Sequence, residues 1–206
     1  YNPPIFLSTD IKGLENYSKQ YNFQLIDRPD HLAGNDASHH EVITHGIIEI
    51  EKYLGCKLDY IVVLLGNAIA AWHSDIDRAI DIISDNGKDV DSVVTVGKYN
   101  MFNPMRSMAI DSSGLLERMI QHENFSNSNK VVNTSDKDIL GDVYYMNGSL
   151  MVIKRSAVFA KSKKLPFPWL GDKVVPIVQD SICMELDAQW QTSIIQLISD
   201  DNSIAR

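Results

Sequence analysis

The chain alternates between short apolar runs and amphipathic stretches. Residues 60–65 are apolar without a break, the pattern of a strand covered on both faces and so of a parallel sheet. Gly66, Asn67 and Ala68 follow, small enough for a ligand to approach the backbone. Ser74 with Asp77 three residues on is a capping-box-like start for a helix over 74–86. Upstream, the apolar run at residues 5–7 ends in Ser8, Thr9 and Asp10, which predict caps for a helix over 11–20. A strand over 23–26 comes next, closed by Asp27, Arg28, Pro29 and Asp30, so the order is β-α-β. Ser38 and Glu41 spell a capping box ahead of a helix that carries Val42, Ile43, Ile47, Ile48 and Ile50 toward the core. With a strand over 92–96, the alternation predicts a mostly parallel sheet with right-handed crossovers. In such sheets ligands bind beyond the carboxyl ends of the strands, which directs attention to the loop 65–72.

From 98 to 142 the rhythm breaks. The stretch is rich in Asn, Ser and Met and predicts an excursion from the sheet: a strand over 105–110, a turn at 111–114 and a polar loop over 124–138. Short strands over 143–146 and 150–153 flank Asn147, Gly148 and Ser149; an Asn-Gly pair makes a type I′ hairpin turn or lines a site. A short helix over 156–161 precedes a segment with two prolines and Trp169 at 165–171. Pro176 makes the strand over 174–178 an edge or a bulge. The end reads as a strand fragment running into a helix, over 184–198, with Trp190, Ile194, Ile195 and Ile198 on its apolar face.

The 206 residues, 44% of them hydrophobic, suffice for one sizeable core and predict a single domain with an appendage. A formal net charge of -8 argues against nucleic acid or an anionic membrane as partner; the densest basic cluster, Lys161, Lys163 and Lys164, reads as a solvated loop. Cys56 and Cys183 have no metal or redox spacing, which fits a reducing cytoplasm. No apolar run approaches the roughly 18 residues that cross a bilayer. Asp75-Ile76-Asp77 superficially matches a metal-binding DxD but sits in the first turn of the expected helix, where acids suit the dipole. His31, His39 and His40 lack a clean metal spacing and are expected in solvent. Met101, Met105, Met108 and Met119 are expected to pack a dimer surface or the core. The chain enters a strand almost at once after Tyr1, which leads us to expect a further segment upstream.

Several separated stretches agree with one family: IFLSTD at 5–10, DRPDHLAGNDAS at 27–38, DSVVTV at 91–96, NPMR at 103–106, MNGSLMVIKR at 146–155 and MELD at 184–187. In order and spacing the chain resembles the CMP-sialic acid synthetase family, the cytidylyltransferases that activate acidic nonulosonic sugars. The resemblance implies a three-layer α/β fold with a mostly parallel sheet, the Rossmann-like nucleotidyltransferase architecture. Residues 1–97 and 143–206 would form that domain, and 98–142 a dimerisation and sugar-site excursion reaching into the partner of a homodimer. The reaction implied is transfer of CMP from CTP to a 2-keto sugar acid with release of pyrophosphate. The family's phosphate-cradling loop would lie upstream of Tyr1. Leu65 to Ile69 stand where the family has Gln-Pro-Thr-Ser-Pro and are closer to the loop of the related Kdo cytidylyltransferases. A Kdo-type enzyme, or a weakened homologue acting as a binding or dimerising partner, are therefore the alternatives.

The resemblance also assigns residues. Asp187 matches the metal-binding aspartate for Mg²⁺, with Glu185 beside it; alternate residues on a strand point the same way, so both carboxylates can face one ion. The competing reading of Asp187 is an ordinary helix N-cap. Arg28 is carried over as a nucleotide contact, and Ser38, or its neighbour His39, sits where the family recognises the base and ribose; Asn67 in the central loop is a further polar contact expected on the nucleotide. Leu65, Arg106, Asn147 and Gly148 fall to the sugar, and Arg106 would hold its carboxylate because a guanidinium pairs bidentately with one.

Overall fold

A computed structural model of the chain describes residues 3–34, 36–69, 71–85, 89–120, 141–160, 166–180 and 185–193. The elements begin β1 (Ile5–Thr9), α1 (Glu15–Tyr21), β2 (Phe23–Asp27), α2 (His39–Leu54), β3 (Tyr60–Val63) and α3 (His73–Ser84). They continue β4 (Ser92–Lys98), β5 (Met108–Ile110), β6 (Leu116–Arg118), β7 (Tyr144–Lys154), α4 (Arg155–Phe159) and β8 (Val174–Gln179).

β1 and β2 pair in parallel, Ile5 opposite Phe23 and Thr9 opposite Asp27, which makes the expected β-α-β unit. α1 starts later than expected, after Leu14, with no side-chain cap. Thr9 turns its hydroxyl to the Ile11 amide instead, the local bond that lets Thr compete with helix formation. α2 carries the capping box read from Ser38 and Glu41 and ends at Gly55, left-handed at φ 69. The Ser38 hydroxyl, and after it the Ser38 amide, hold the Glu41 carboxyl below its ordinary pKa.

A four-stranded sheet has the order β3-β7-β4-β8. β3 pairs antiparallel with β7, Tyr60 opposite Lys154 and Val63 opposite Met151. The parallel, fully covered strand expected at 60–65 is thus corrected to a half-buried edge strand in antiparallel pairing. An unbroken apolar run reports burial, and strand direction is decided by the partner. β8 is the other edge, one of the two placements expected of a strand carrying Pro176.

α3 begins one residue before Ser74, with Trp72 at its N-cap and no side-chain cap, so Ser74 and Asp77 do not form the expected box. β7 runs unbroken through Asn147, Gly148 and Ser149, and the alternative of a hairpin turn there is overturned. Gly148 bends the strand locally at φ 68, a backbone that residues with a Cβ avoid. Within the excursion, β5 and β6 pair antiparallel with Ile110 opposite Leu116. Pro104–Arg106 is a 3-10 turn rather than part of the strand. The expected loop over 124–138 lies outside the described residues, as do Ile194, Ile195 and Ile198. Trp190, expected on an apolar helix face, is 70% exposed in the 3-10 turn Gln189–Gln191. Among the described residues no helix is long and apolar enough to cross a membrane.

The chain divides into two compact units, one of Tyr1–Leu65, Ala71–Val94 and Leu150–Pro176, the other of Gly66–Ala70, Thr95–Ser149 and Ile177–Arg206. The first has an aliphatic core in which Ile47, Val93, Val152, Ile153 and Val158 are buried, each worth about 1.5–3 kcal/mol of burial. Arg155 Nε meets Glu51 Oε1 at 2.6 Å in this unit. That hydrogen bond is the largest reason the Glu51 carboxyl is held down at about 2. The interior of the second unit is mixed: Thr95, Asn103, Asn147, Ser149 and Gln179 are buried there beside Val96 and Ile177.

Candidate functional site

The site is assembled from the loop after β3 and the segment at 185–187, both in the second unit. Ala68 forms an antiparallel bridge with Glu185, and the Leu186 amide donates to the Asn67 carbonyl at 2.8 Å. These backbone bonds place two side chains 120 positions apart in contact: Asn67 Nδ2 donates to Asp187 Oδ1 at 2.9 Å. The Asp187 and Ala188 amides donate to Gln191 Oε1 at 2.7 and 2.5 Å. Ala188, not Asp187, is the N-cap of the 3-10 turn that follows. The capping role weighed for Asp187 is therefore not the one its carboxylate takes.

Beside it stands a buried polar layer. Thr95 Oγ1 on β4 donates to Asn147 Oδ1 at 2.7 Å, which also accepts the Ser149 amide at 3.2 Å. Asn147 Nδ2 donates to Gln179 Oε1 on β8 at 2.6 Å. A buried amide with both ends bonded is fixed in place. Asn147 is thereby held at the wall of a cleft of about 390 Å³, which Glu185 and Asp187 also line. The rest of the described lining is Tyr99, Phe102, Tyr145 and Met146. Tyr99 and Tyr145 meet edge to face, centroids 6.1 Å apart, and Tyr99 is tilted against Phe102 at 6.3 Å. The Tyr145 hydroxyl donates to the Phe102 carbonyl at 2.8 Å.

Asn67, Asn147, Glu185 and Asp187 are thus brought together, with Gly148 buried in β7 next to Asn147. Arg106 is exposed on its 3-10 turn and is not among the residues lining the cleft. The remaining candidates belong to the first unit. Arg28 Nη2 donates to the Ser8 carbonyl at 2.6 Å, and Ser38 caps α2. Leu65 is half-buried beyond the end of β3. Sequence reasoning did not single out the aromatic wall, Thr95, Gln179 or Gln191. Tyr99 and Phe102, an aromatic pair in a stretch of Asn and Met, were the signal available.

The first unit has a cavity of its own, about 510 Å³, lined by His31, His40 and His45 among others. It is the larger of the two, yet its chemistry is weaker. His40 donates Nε2 to the Val158 carbonyl at 2.7 Å and stacks on Trp169, so the expectation that it is simply solvated is corrected. Among the described residues no group of three or more His, Cys, Asp or Glu is arranged to hold a metal.

The site is thus a cleft with two carboxylates in a mixed α/β fold, and that fold has a likeness among solved structures. The structure of CMP:2-keto-3-deoxy-manno-octonic acid synthetase in complex with CTP matches 96% of this chain and 81% of its own, with a TM-score of 0.57 at 8% sequence identity. At that identity the likeness is one of fold. The sequence matches no family model, and no curated protein matches it in sequence.

Proposed function

We propose that the protein is a cytidylyltransferase that transfers CMP from CTP to an acidic 2-keto sugar and releases pyrophosphate. The observation that carries the reading is the Asn67–Asp187 hydrogen bond, which fixes a carboxylate on the same cleft as Glu185 and Asn147. The fold's likeness to a CTP-bound synthetase supports it.

Mg²⁺ is the cofactor of this reading, and the residues fit it. The ion is usually held by one or two carboxylates together with substrate phosphates, not by an all-protein cage. Glu185 and Asp187, alternate residues lining one cleft, supply that many hard oxygen donors. Bound there, Mg²⁺ would neutralise charge on the triphosphate. Asn67 orients Asp187 by donating to one oxygen and leaving the other for the ion. Gln191 holds the backbone of the same turn. Asn147, locked by Thr95 and Gln179, positions the sugar together with Gly148, and the aromatic wall offers a face for its C–H groups; Leu65 is a further candidate for a sugar contact. Arg106 is the candidate for the sugar carboxylate, and Arg28 and Ser38 are the candidates on the nucleotide side. The anomeric hydroxyl attacks the α-phosphorus in line, the bond to the β-phosphate oxygen breaks, and pyrophosphate leaves.

The sugar is a nonulosonic acid on the strength of the motifs, and a Kdo-type acid on the strength of the fold neighbour. The working assembly is a cytoplasmic homodimer built through the excursion. Ile110, Leu116 and Met119 support that surface, exposed at 74%, 68% and 66%, well above the isolated apolar residue that needs no explanation. The test is pyrophosphate release by the full-length protein with CTP and Mg²⁺ against a panel of nonulosonic and Kdo-type acids. Release with one acid, reduced about 100-fold or more in Asp187→Ala, is the expected result. Silence across the panel from folded protein would reject the reading.

A further inference from the structure

Gly97 occupies a place where glycine is unfavourable. It is buried in β4, and glycine inside a strand weakens it unless something approaches closely. Its φ lies outside the left-handed range, so the backbone there would accept any residue. The reason for glycine is space: a Cβ at this position would lie 2.5 Å from Tyr99 Cε2, 3.1 Å from Cζ and 3.2 Å from the hydroxyl oxygen. Two residues on, just past the end of β4, Tyr99 turns its backbone to φ -130, ψ 60 while its amide donates to Val143. Its ring folds back over Gly97, where it meets Tyr145 and Phe102 and lines the cleft.

We propose that Gly97 is a positioning residue of the site: its missing side chain seats the Tyr99 ring, and the ring so seated is the surface on which the sugar acid rests. The inference builds on the cytidylyltransferase reading and assigns the sugar, not the nucleotide, to the aromatic wall. A methyl group at Gly97 would meet the outer edge of the Tyr99 ring, a rigid group that also faces Tyr145 and Phe102. The ring must leave its seat. Tyr99 is the residue that touches substrate, and Gly97 acts only through it.

The test is a double-mutant cycle of Gly97→Ala and Tyr99→Ala in the full-length protein, read by steady-state kinetics and by thermal melting. Gly97→Ala should raise KM for the sugar acid about tenfold, with kcat and KM for CTP within about twofold. In the Tyr99→Ala background the same change should alter neither KM nor the melting temperature, since the obstructing ring is gone. An unchanged sugar KM in an active Gly97→Ala enzyme overturns the proposal, as does an effect that persists without Tyr99. Tyr99→Phe, which keeps the ring, should retain the wild-type sugar KM, and a tenfold loss there would show that the hydroxyl matters and not the seat. If the wild type releases no pyrophosphate with any acid, the underlying function fails. The melting cycle then still shows whether Gly97 and Tyr99 are coupled, so the two failures are distinguishable.

Discussion

β7 changes character along its length. In the first unit it contributes Leu150, Met151, Val152 and Ile153, all buried and all apolar. In the second it contributes Asn147 and Ser149, just as buried and polar, with Thr95 of β4 and Gln179 of β8 buried against Asn147. Apolar side chains stabilise by leaving water, whatever their neighbours. A buried polar group adds little net stability even when bonded and costs about 1–3 kcal/mol when it is not. Packing alone would therefore favour aliphatic residues in both stretches. The polar layer persists on the side where Asn147 reaches the cleft, and we take it as the part of the fold shaped by function.

The largest effect expected from breaking that contrast is at Asn147. Asn147→Ala should lower pyrophosphate release by about 100-fold, and the loss of its bonds to Thr95 and Gln179 should cost about 1–3 kcal/mol by denaturant unfolding. Placing a polar group in the aliphatic stretch should cost stability without touching activity. Val152→Thr should cost about 1–3 kcal/mol of stability with kcat and both KM values within about twofold. A smaller change tests whether the first unit's candidates are scaffold: Ser38→Ala should remove about 1 kcal/mol of helix capping. If capping is its whole contribution, KM for CTP stays within about twofold; a tenfold rise would restore Ser38 to the nucleotide site.

The smallest effect is a pH dependence confined to the first unit. Glu51 has its carboxyl lowered from 4.5 to about 2, chiefly by Arg155. A carboxyl lowered in the folded state binds protons more readily when unfolded, so its contribution is complete above pH 4.5 and is lost as the pH falls toward 2. Acid unfolding of Glu51→Gln should accordingly show a shallower loss of stability in that window than the wild type. Release at neutral pH should be unaffected.

Local features of the fold were legible. The Ser38–Glu41 capping box and the β1-α1-β2 unit are written within a few residues, and Pro176, which lacks an amide, narrowed its strand to an edge or a bulge. Features decided by distant partners were not. The Asn-Gly pair at 147–148 reads as a turn until Thr95 and Gln179 bond the amide within β7. Residues 60–65 show their apolarity but not the antiparallel partner at 151–154. Of the site, Asn147, Glu185 and Asp187 could be named from motif resemblance and Asn67 as a polar residue of the central loop, while the bond joining Asn67 to Asp187 could not. The seat of Tyr99 over Gly97 is likewise invisible in spacing, because two residues apart on a strand normally means side by side, not folded back.

The central claim is that Asp187, held by Asn67, takes the metal that accompanies the triphosphate. Calorimetric titration of CTP into the full-length protein, with and without Mg²⁺, tests it for the wild type and Asp187→Asn, a change that keeps the shape and removes the charge. Mg²⁺ should tighten CTP binding to the wild type by about tenfold or more. The variant should bind CTP with the wild-type affinity in the absence of the ion and gain nothing from its addition. Equal enhancement by Mg²⁺ in both proteins would contradict the account.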